Sequence, residues 1–202
     1  MAQEPDCLSF SPDFFGRDTE LVARELIGCH LYHGPTRGVI VEVEAYRGHD
    51  DPASHAFRGP TPRSQIMFGA PARAYVYLSY GVHRCLNVVA HRPGQAGAVL
   101  VRALEPIEGI EEMRRRRSRR DQLTNGPGRL CQAMGIELAH DGEDLLEPGG
   151  LMLRPASSPV GRVVCGPRVG ISVATEREYR FWLEGNPHVS KWRAAGKRRA
   201  KG

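Results

Sequence analysis

The sequence predicts an α+β fold built on an antiparallel or mixed β-sheet. Three observations carry that expectation. Strand-like segments outnumber helical ones, several follow one another across short glycine-containing turns, and helices do not alternate with strands as βαβ winding requires. A chain of 202 residues is long enough for one domain with a real core. Residues 1–190 are assigned to that domain, and residues 191–202 to a basic, disordered tail.

The elements follow in order. "DTELVARELIG" reads as a helix: Asp18 caps it, Leu21, Val22, Leu26 and Ile27 make an apolar face, and Gly28 stops it. "CHLYH" and "GVIVEVEAY" read as strands. In the second, Glu42, Glu44 and Tyr46 share one face while Val41, Val43 and Ala45 take the other. Residues 49–73 are rich in glycine, proline and charge and read as a long surface loop, the kind that commonly carries function. "AYVYLSY", "CLNVVA" and "AVLVRAL" are three further strands. A helix is expected from Pro106, because Ile107, Ile110 and Met113 recur at helical spacing, and a short one in "GRLCQAMG". Late strands are expected in "GLMLR", "GRVVCGPRVGIS" and "YRFWLEG".

Charge is unevenly placed. The net charge is +5, but residues 191–201 hold six cations and no acid, leaving 22 cations against 23 acids elsewhere. A second concentration, "RRRRSRR", comprises Arg114, Arg115, Arg116, Arg117, Arg119 and Arg120. Such a run is either a solvated face or a set of phosphate contacts. No apolar run is long enough to cross a bilayer, and the N-terminus lacks the basic start and apolar stretch of a signal peptide. A cytoplasmic protein without membrane contact is therefore expected, nucleoid-associated in a bacterium and nuclear in a eukaryote. Five widely spaced cysteines in apolar surroundings suggest reduced buried thiols, and no pair has zinc-site spacing.

The sharpest anomaly is Glu42-Val43-Glu44, two carboxylates on one face of an apolar strand. Either that face is solvent-exposed, or a carboxylate is held in a cleft as a general base. Three of the six tyrosines crowd into residues 74–80. Tyr75 and Tyr77 share a sheet face and are explained by packing, whereas Tyr80 breaks their parity beside Gly81, where a turn projects a ring away from the sheet. His49, Asp50, Asp51 and His55 contain metal-ligand types but no metal-ligand spacing, so no metal is expected. All three lysines lie at or beyond residue 191, so the body offers no amine for Schiff-base chemistry and water is the expected nucleophile.

Six stretches then coincide. "VEVEAYRGHDDPASH", "TPRSQIMFG", "AYVYLSYGVHRCLNVV", "VLVRALEPIEG", "NGPGRLCQAMGI" and "PRVGIS…RFWLEGNPHVS" occur in order between Phe10 and Lys191. Together they resemble the alkyladenine DNA glycosylase family, the 3-methyladenine DNA glycosylases of mammalian type. The resemblance implies a single compact mixed α/β domain, with a curved sheet and flanking helices. Such a domain flips a damaged purine out of double-stranded DNA and hydrolyses its N-glycosidic bond as a monomer without cofactor. By the same resemblance Glu44 is the general base, and Arg102 and the main chain near Val169 help hold the water. Tyr46, His55 and Tyr77 wall the base pocket, Asn87 screens bases, and Tyr80 fills the gap left by the flipped nucleotide. Two rival readings are a non-catalytic binder of damaged or distorted nucleic acid and a metal-dependent hydrolase built on His49, Asp50, Asp51 and His55.

Overall fold

The computed structural model describes residues 9–118 and 121–191. Cys7, Arg119, Arg120 and the basic segment 192–202 lie outside the described residues. After a 3-10 turn at Pro12–Phe14 comes α1, Thr19–Leu26, where Asp18 accepts from the Glu20 amide at 3.0 Å and so satisfies one orphan N–H of the first turn. Val22, Ala23 and Leu26 are buried, burial being worth roughly 1.5–3 kcal/mol for a large aliphatic side chain, but Leu21 is 44% exposed and does not belong to the inner face. Gly28, with φ +90°, ends the helix as expected.

The strands are β1 (His30–His33), β2 (Thr36–Arg47), β3 (Ala74–Ser79), β4 (His83–Val89), β5 (Gly97–Glu108), β6 (Met152–Arg154), β7 (Val163–Gly166) and β8 (Arg180–Leu183). All their pairings are antiparallel, in the order β3-β4-β5-β2-β1-β6, with β8 joining β2 to β7. Among the described residues the α+β class is thus observed as one curled antiparallel sheet with three helices. β2 is its spine. One edge of β2 pairs with β5 along its length, while β1 takes residues 36–39 and β8 takes residues 42–44 on the other, with register shifts between Ile40 and Val43. Such irregularities bend a strand and raise its twist.

One helix begins later than its spacing suggests. β5 runs on through Pro106 and Ile107 to Glu108, and α2 starts at Ile110 and ends at Arg116. Pro106 pairs with Gly38 beside a register shift, where its missing N–H is tolerated. Gly109, with φ +69°, then turns the chain, and its absent side chain leaves room for the Pro35 carbonyl. α3, Pro127–Met134, ends at Gly135 with φ +75°. Of "GRVVCGPRVGIS" only β7 is strand, and the chain from Pro167 leaves the sheet. Residues 49–73 carry a 3-10 turn at Gln65–Phe68 and bury Asp51, Ser54, Ala56, Ser64, Met67 and Ala72, so this loop is anchored rather than merely superficial. Cys29, Cys85 and Cys131 are buried, but Cys165 is exposed because β7 is an edge strand pairing only with β8.

The main core lies among α1, α3 and the sheet. A smaller cluster of Ala56, Met67, Tyr75, Val89, Ala96 and Ala98 joins the 49–73 loop to β3, β4 and β5. A cleft opens beside it.

Candidate active site

β2 is paired on both edges where it carries Glu42 and Glu44, so neither carboxylate is solvent-facing: both are 0% exposed. The exposed-face reading of these glutamates is thereby overturned. A buried carboxylate must be compensated by hydrogen bonds and opposite charge, and the two are compensated differently. Glu42 Oε1 accepts from Arg102 Nε at 3.0 Å, Arg180 Nε at 2.7 Å and Ser190 Oγ at 2.8 Å, while Oε2 accepts from the Ser190 amide at 2.7 Å. Those four donors match the roughly four acceptor sites of a carboxylate.

Glu44 has two hydrogen-bond donors and one ion-pair partner. Its Oε1 accepts from the Val169 amide at 2.6 Å and its Oε2 from the Tyr46 hydroxyl at 2.8 Å, while Arg102 Nη1 lies 3.3 Å from Oε2 as an ion pair. Its acceptor sites are therefore not all filled. Arg102 bridges the two glutamates. Burial opposes its charge, but the adjacent Glu44 and Glu42 outweigh that and hold the guanidinium more firmly protonated.

In front of Glu44 is a cleft of about 320 Å³, at the lower end of the usual small-ligand range. Tyr46, His55, Tyr77, Asn87, Arg102 and Val169 all line it, so the structure brings six of the expected site residues together. Glu44 itself lies behind the wall made by Tyr46, Arg102 and Val169. Burial, and next the Glu44 charge, push the Tyr46 phenol well above its ordinary range, which keeps it a donor to that carboxylate. His55 stacks edge-on against Tyr77, ring centroids 4.8 Å apart. Burial, and then Arg63, lower its pKa and favour the neutral ring. The Asn87 amide donates to the carbonyls of Tyr75 at 3.0 Å and Cys85 at 3.4 Å, which fixes its orientation against β3 and β4.

Tyr80 sits at the mouth of the cleft and is 88% exposed. The Val82 amide donates to the Ser79 carbonyl at 3.2 Å, closing a turn in which Tyr80 and Gly81 have φ +50° and +70°. Positive φ at both central residues is the primed hairpin geometry, and it is strained for a tyrosine. The break in tyrosine parity is thus a turn that presents a ring to solvent.

Sequence reasoning gave four contributors no part in this site, Asp51 having been named only as a metal-ligand type. Tyr75 is not a packing residue alone: it lines the cleft and its hydroxyl lies 2.9 Å from His55 Nδ1. Its shared parity with Tyr77 was the available signal. Arg63 lies 4.6 Å from the Tyr77 ring centre. Asp51 and Arg168 form a two-pronged ion pair at 2.6 and 2.7 Å, across 117 residues of sequence that give no local signal.

The arginine run behaves otherwise. Arg114 pairs with Glu111, Arg115 and Arg116 with Glu112, and Arg117 bonds Gln132 at 2.6 Å and the Gln122 carbonyl at 3.1 Å. Arg116 Nη1 also donates to the Ala133 carbonyl at 3.1 Å, so Arg116 and Arg117 tie α2 to α3. Among the described residues, no group of three or more histidine, cysteine, aspartate or glutamate side chains is arranged to hold a metal, and no helix is long and apolar enough to cross a membrane.

The family model described as "Methylpurine-DNA glycosylase" matches residues 13–187. A protein of Rhodopseudomonas palustris (strain BisB18) named "Putative 3-methyladenine DNA glycosylase" is 48% identical over 193 residues, spanning 93% of this chain and 95% of that protein. A protein of the same name from Nitrobacter winogradskyi is 48% identical over 186 residues, 91% of this chain and 88% of its own. Another, from Frankia casuarinae, is 49% identical over 191 residues, 88% of this chain and 90% of its own.

Proposed function

The chain belongs to the methylpurine-DNA glycosylase family, and from that membership we propose that it is a monofunctional 3-methyladenine DNA glycosylase. It draws an alkylated purine out of duplex DNA and hydrolyses the bond between base and sugar, the first step of base excision repair. The observation that carries this reading is Glu44, a fully buried carboxylate held by two hydrogen bonds and one ion pair, with acceptor capacity left beside an aromatic cleft.

In this reading Glu44 takes a proton from water as the water oxygen bonds to the sugar C1′. The electron pair of the C1′–N bond leaves with the purine, which alkylation at N3 or N7 has already made cationic. That leaving group makes a dedicated acid unnecessary. Arg102 and Val169 restrain the carboxylate, and the water is held among them. Tyr46, His55 and Tyr77 take the base; the two tyrosine π-faces favour a cation. Extrusion costs a few kcal/mol, which stacking worth roughly 1–3 kcal/mol per base offsets. Tyr80 occupies the vacated space in the duplex.

The partner is double-stranded DNA, bound by a monomer, and the bacterial relatives favour the cytoplasm at the nucleoid. An excision panel of duplexes carrying 3-methyladenine, 7-methylguanine, hypoxanthine and ethenoadenine tests the substrate range. The enzyme should release free base, leave an intact abasic strand and survive EDTA. No release from any duplex would favour a non-catalytic binder, loss of release with EDTA a metal-dependent hydrolase, and strand nicking an amine nucleophile.

A further inference from the structure

Residues 168 and 169 touch three successive residues of β2. The Val169 amide donates to Glu44 Oε1 at 2.6 Å, Arg168 Nη1 donates to the Ala45 carbonyl at 3.0 Å, and the Arg168 guanidinium lies 4.6 Å from the centre of the Tyr46 ring. The segment that does this is irregular, lying between β7 and β8 with no ladder to hold it. What fixes it is Asp51. Both Asp51 oxygens bond Arg168, and the same oxygens accept from the Arg47 amide at 3.1 Å and the Ala53 amide at 3.2 Å. Both side chains are 0% exposed.

We propose that Asp51 and Arg168 are positioning residues for the reaction, acting through Val169 on Glu44 and through the guanidinium on Tyr46. The inference rests on the glycosylase reading of the site. Two consequences follow from the geometry. The Val169 amide is a directional donor on a stretch without regular structure, so its alignment with Glu44 depends on the residue before it being anchored on both sides. The cation on one face of Tyr46 leaves only the other face to a base, and Asp51 neutralises that cation so that a positively charged purine is not repelled by it.

Lysine keeps the charge of Arg168 but loses the planar two-pronged contact. The test is single-turnover base release by Arg168→Lys and Asp51→Asn, corrected for the folded fraction, alongside affinity for a lesion duplex. The release rate should fall about a hundredfold in Arg168→Lys, the scale at which small misplacements in an active site are felt, with affinity held within about threefold. In Asp51→Asn the loss should be greater for cationic 7-methylguanine than for neutral hypoxanthine. Release within about threefold of wild type in folded Arg168→Lys would overturn the proposal. So would equal losses for both bases in Asp51→Asn, or for hypoxanthine inactive in the wild type, an Asp51→Asn release of 7-methylguanine equal to wild type. Failure of both variants to fold would overturn it as well, because the pair would then hold the domain rather than the amide. A wild-type enzyme that releases no base would instead overturn the glycosylase reading.

Discussion

Two ionic regions share one strand and one arginine. Around Glu42, four donors from β5, β8 and Ser190 saturate the carboxylate. Around Glu44, two residues along, the hydrogen-bond donors number two, with Arg102 as an ion-pair partner, and the aromatic cleft begins. The residue types and the burial are the same, so neither distinguishes a structural carboxylate from a reactive one. The difference is the count of donors against acceptor sites. A saturated carboxylate can only hold elements together; an unsaturated one beside a cavity can still take a proton.

The comparison can be broken first at Glu42. Glu42→Ala removes the carboxylate paired with Arg180 and one of the two paired with Arg102, and breaking a buried pair in this way costs about 3–5 kcal/mol. Chemical denaturation should show that loss, with base release in the remaining folded protein falling only as far as Arg102 is displaced. Unchanged stability would mean the saturated network holds nothing. Tyr80→Ala comes next. The side chain is exposed on a strained turn, so stability should move by no more than about 0.5 kcal/mol, while lesion-duplex affinity weakens by roughly 1–3 kcal/mol, the worth of one stacked ring.

A smaller effect belongs to His55. Its folded-state pKa lies below the unfolded value of 6.5, through burial and then Arg63. The neutral ring is therefore favoured in the folded state. Its contribution to stability is fully present above pH 6.5 and is lost as pH falls through the folded pKa. In urea denaturation from pH 7.5 downward, His55→Gln should remove part of that decline; an identical slope would contradict the shift. Smallest of all is the third ionic region, on α2. Arg114 and Arg115 already face Glu111 and Glu112, so Arg114→Gln with Arg115→Gln should change the salt slope of DNA binding by less than the approximately 0.9 expected for one phosphate contact. A larger drop would make them DNA ligands.

What the sequence made legible was local. The Asp18 cap, the Gly28 stop, the short helix in "GRLCQAMG" and the odd parity of Tyr80 are all decided within a few residues, and each appears in the structure. The start of α2 was misread because Ile107, Ile110 and Met113 fit a helix locally, while pairing with β2 keeps Ile107 in a strand. The glutamates looked compatible with an exposed face because nothing near them says that β8 and Ser190 close over β2 from about 140 residues away. Asp51 and Arg168 were illegible for the same reason. Tyr75 was visible, but its hydrogen bond to His55 turns a packing position into part of the cleft wall.

The most direct test of the account is Glu44→Gln, which keeps the shape and the acceptor for Val169 while removing the proton-accepting charge. Single-turnover release of 3-methyladenine from methylated duplex should fall by about 10²–10⁴-fold, the usual worth of a general base, with affinity for a lesion duplex retained. Near-normal release by the folded variant would contradict the division of labour between Glu42 and Glu44.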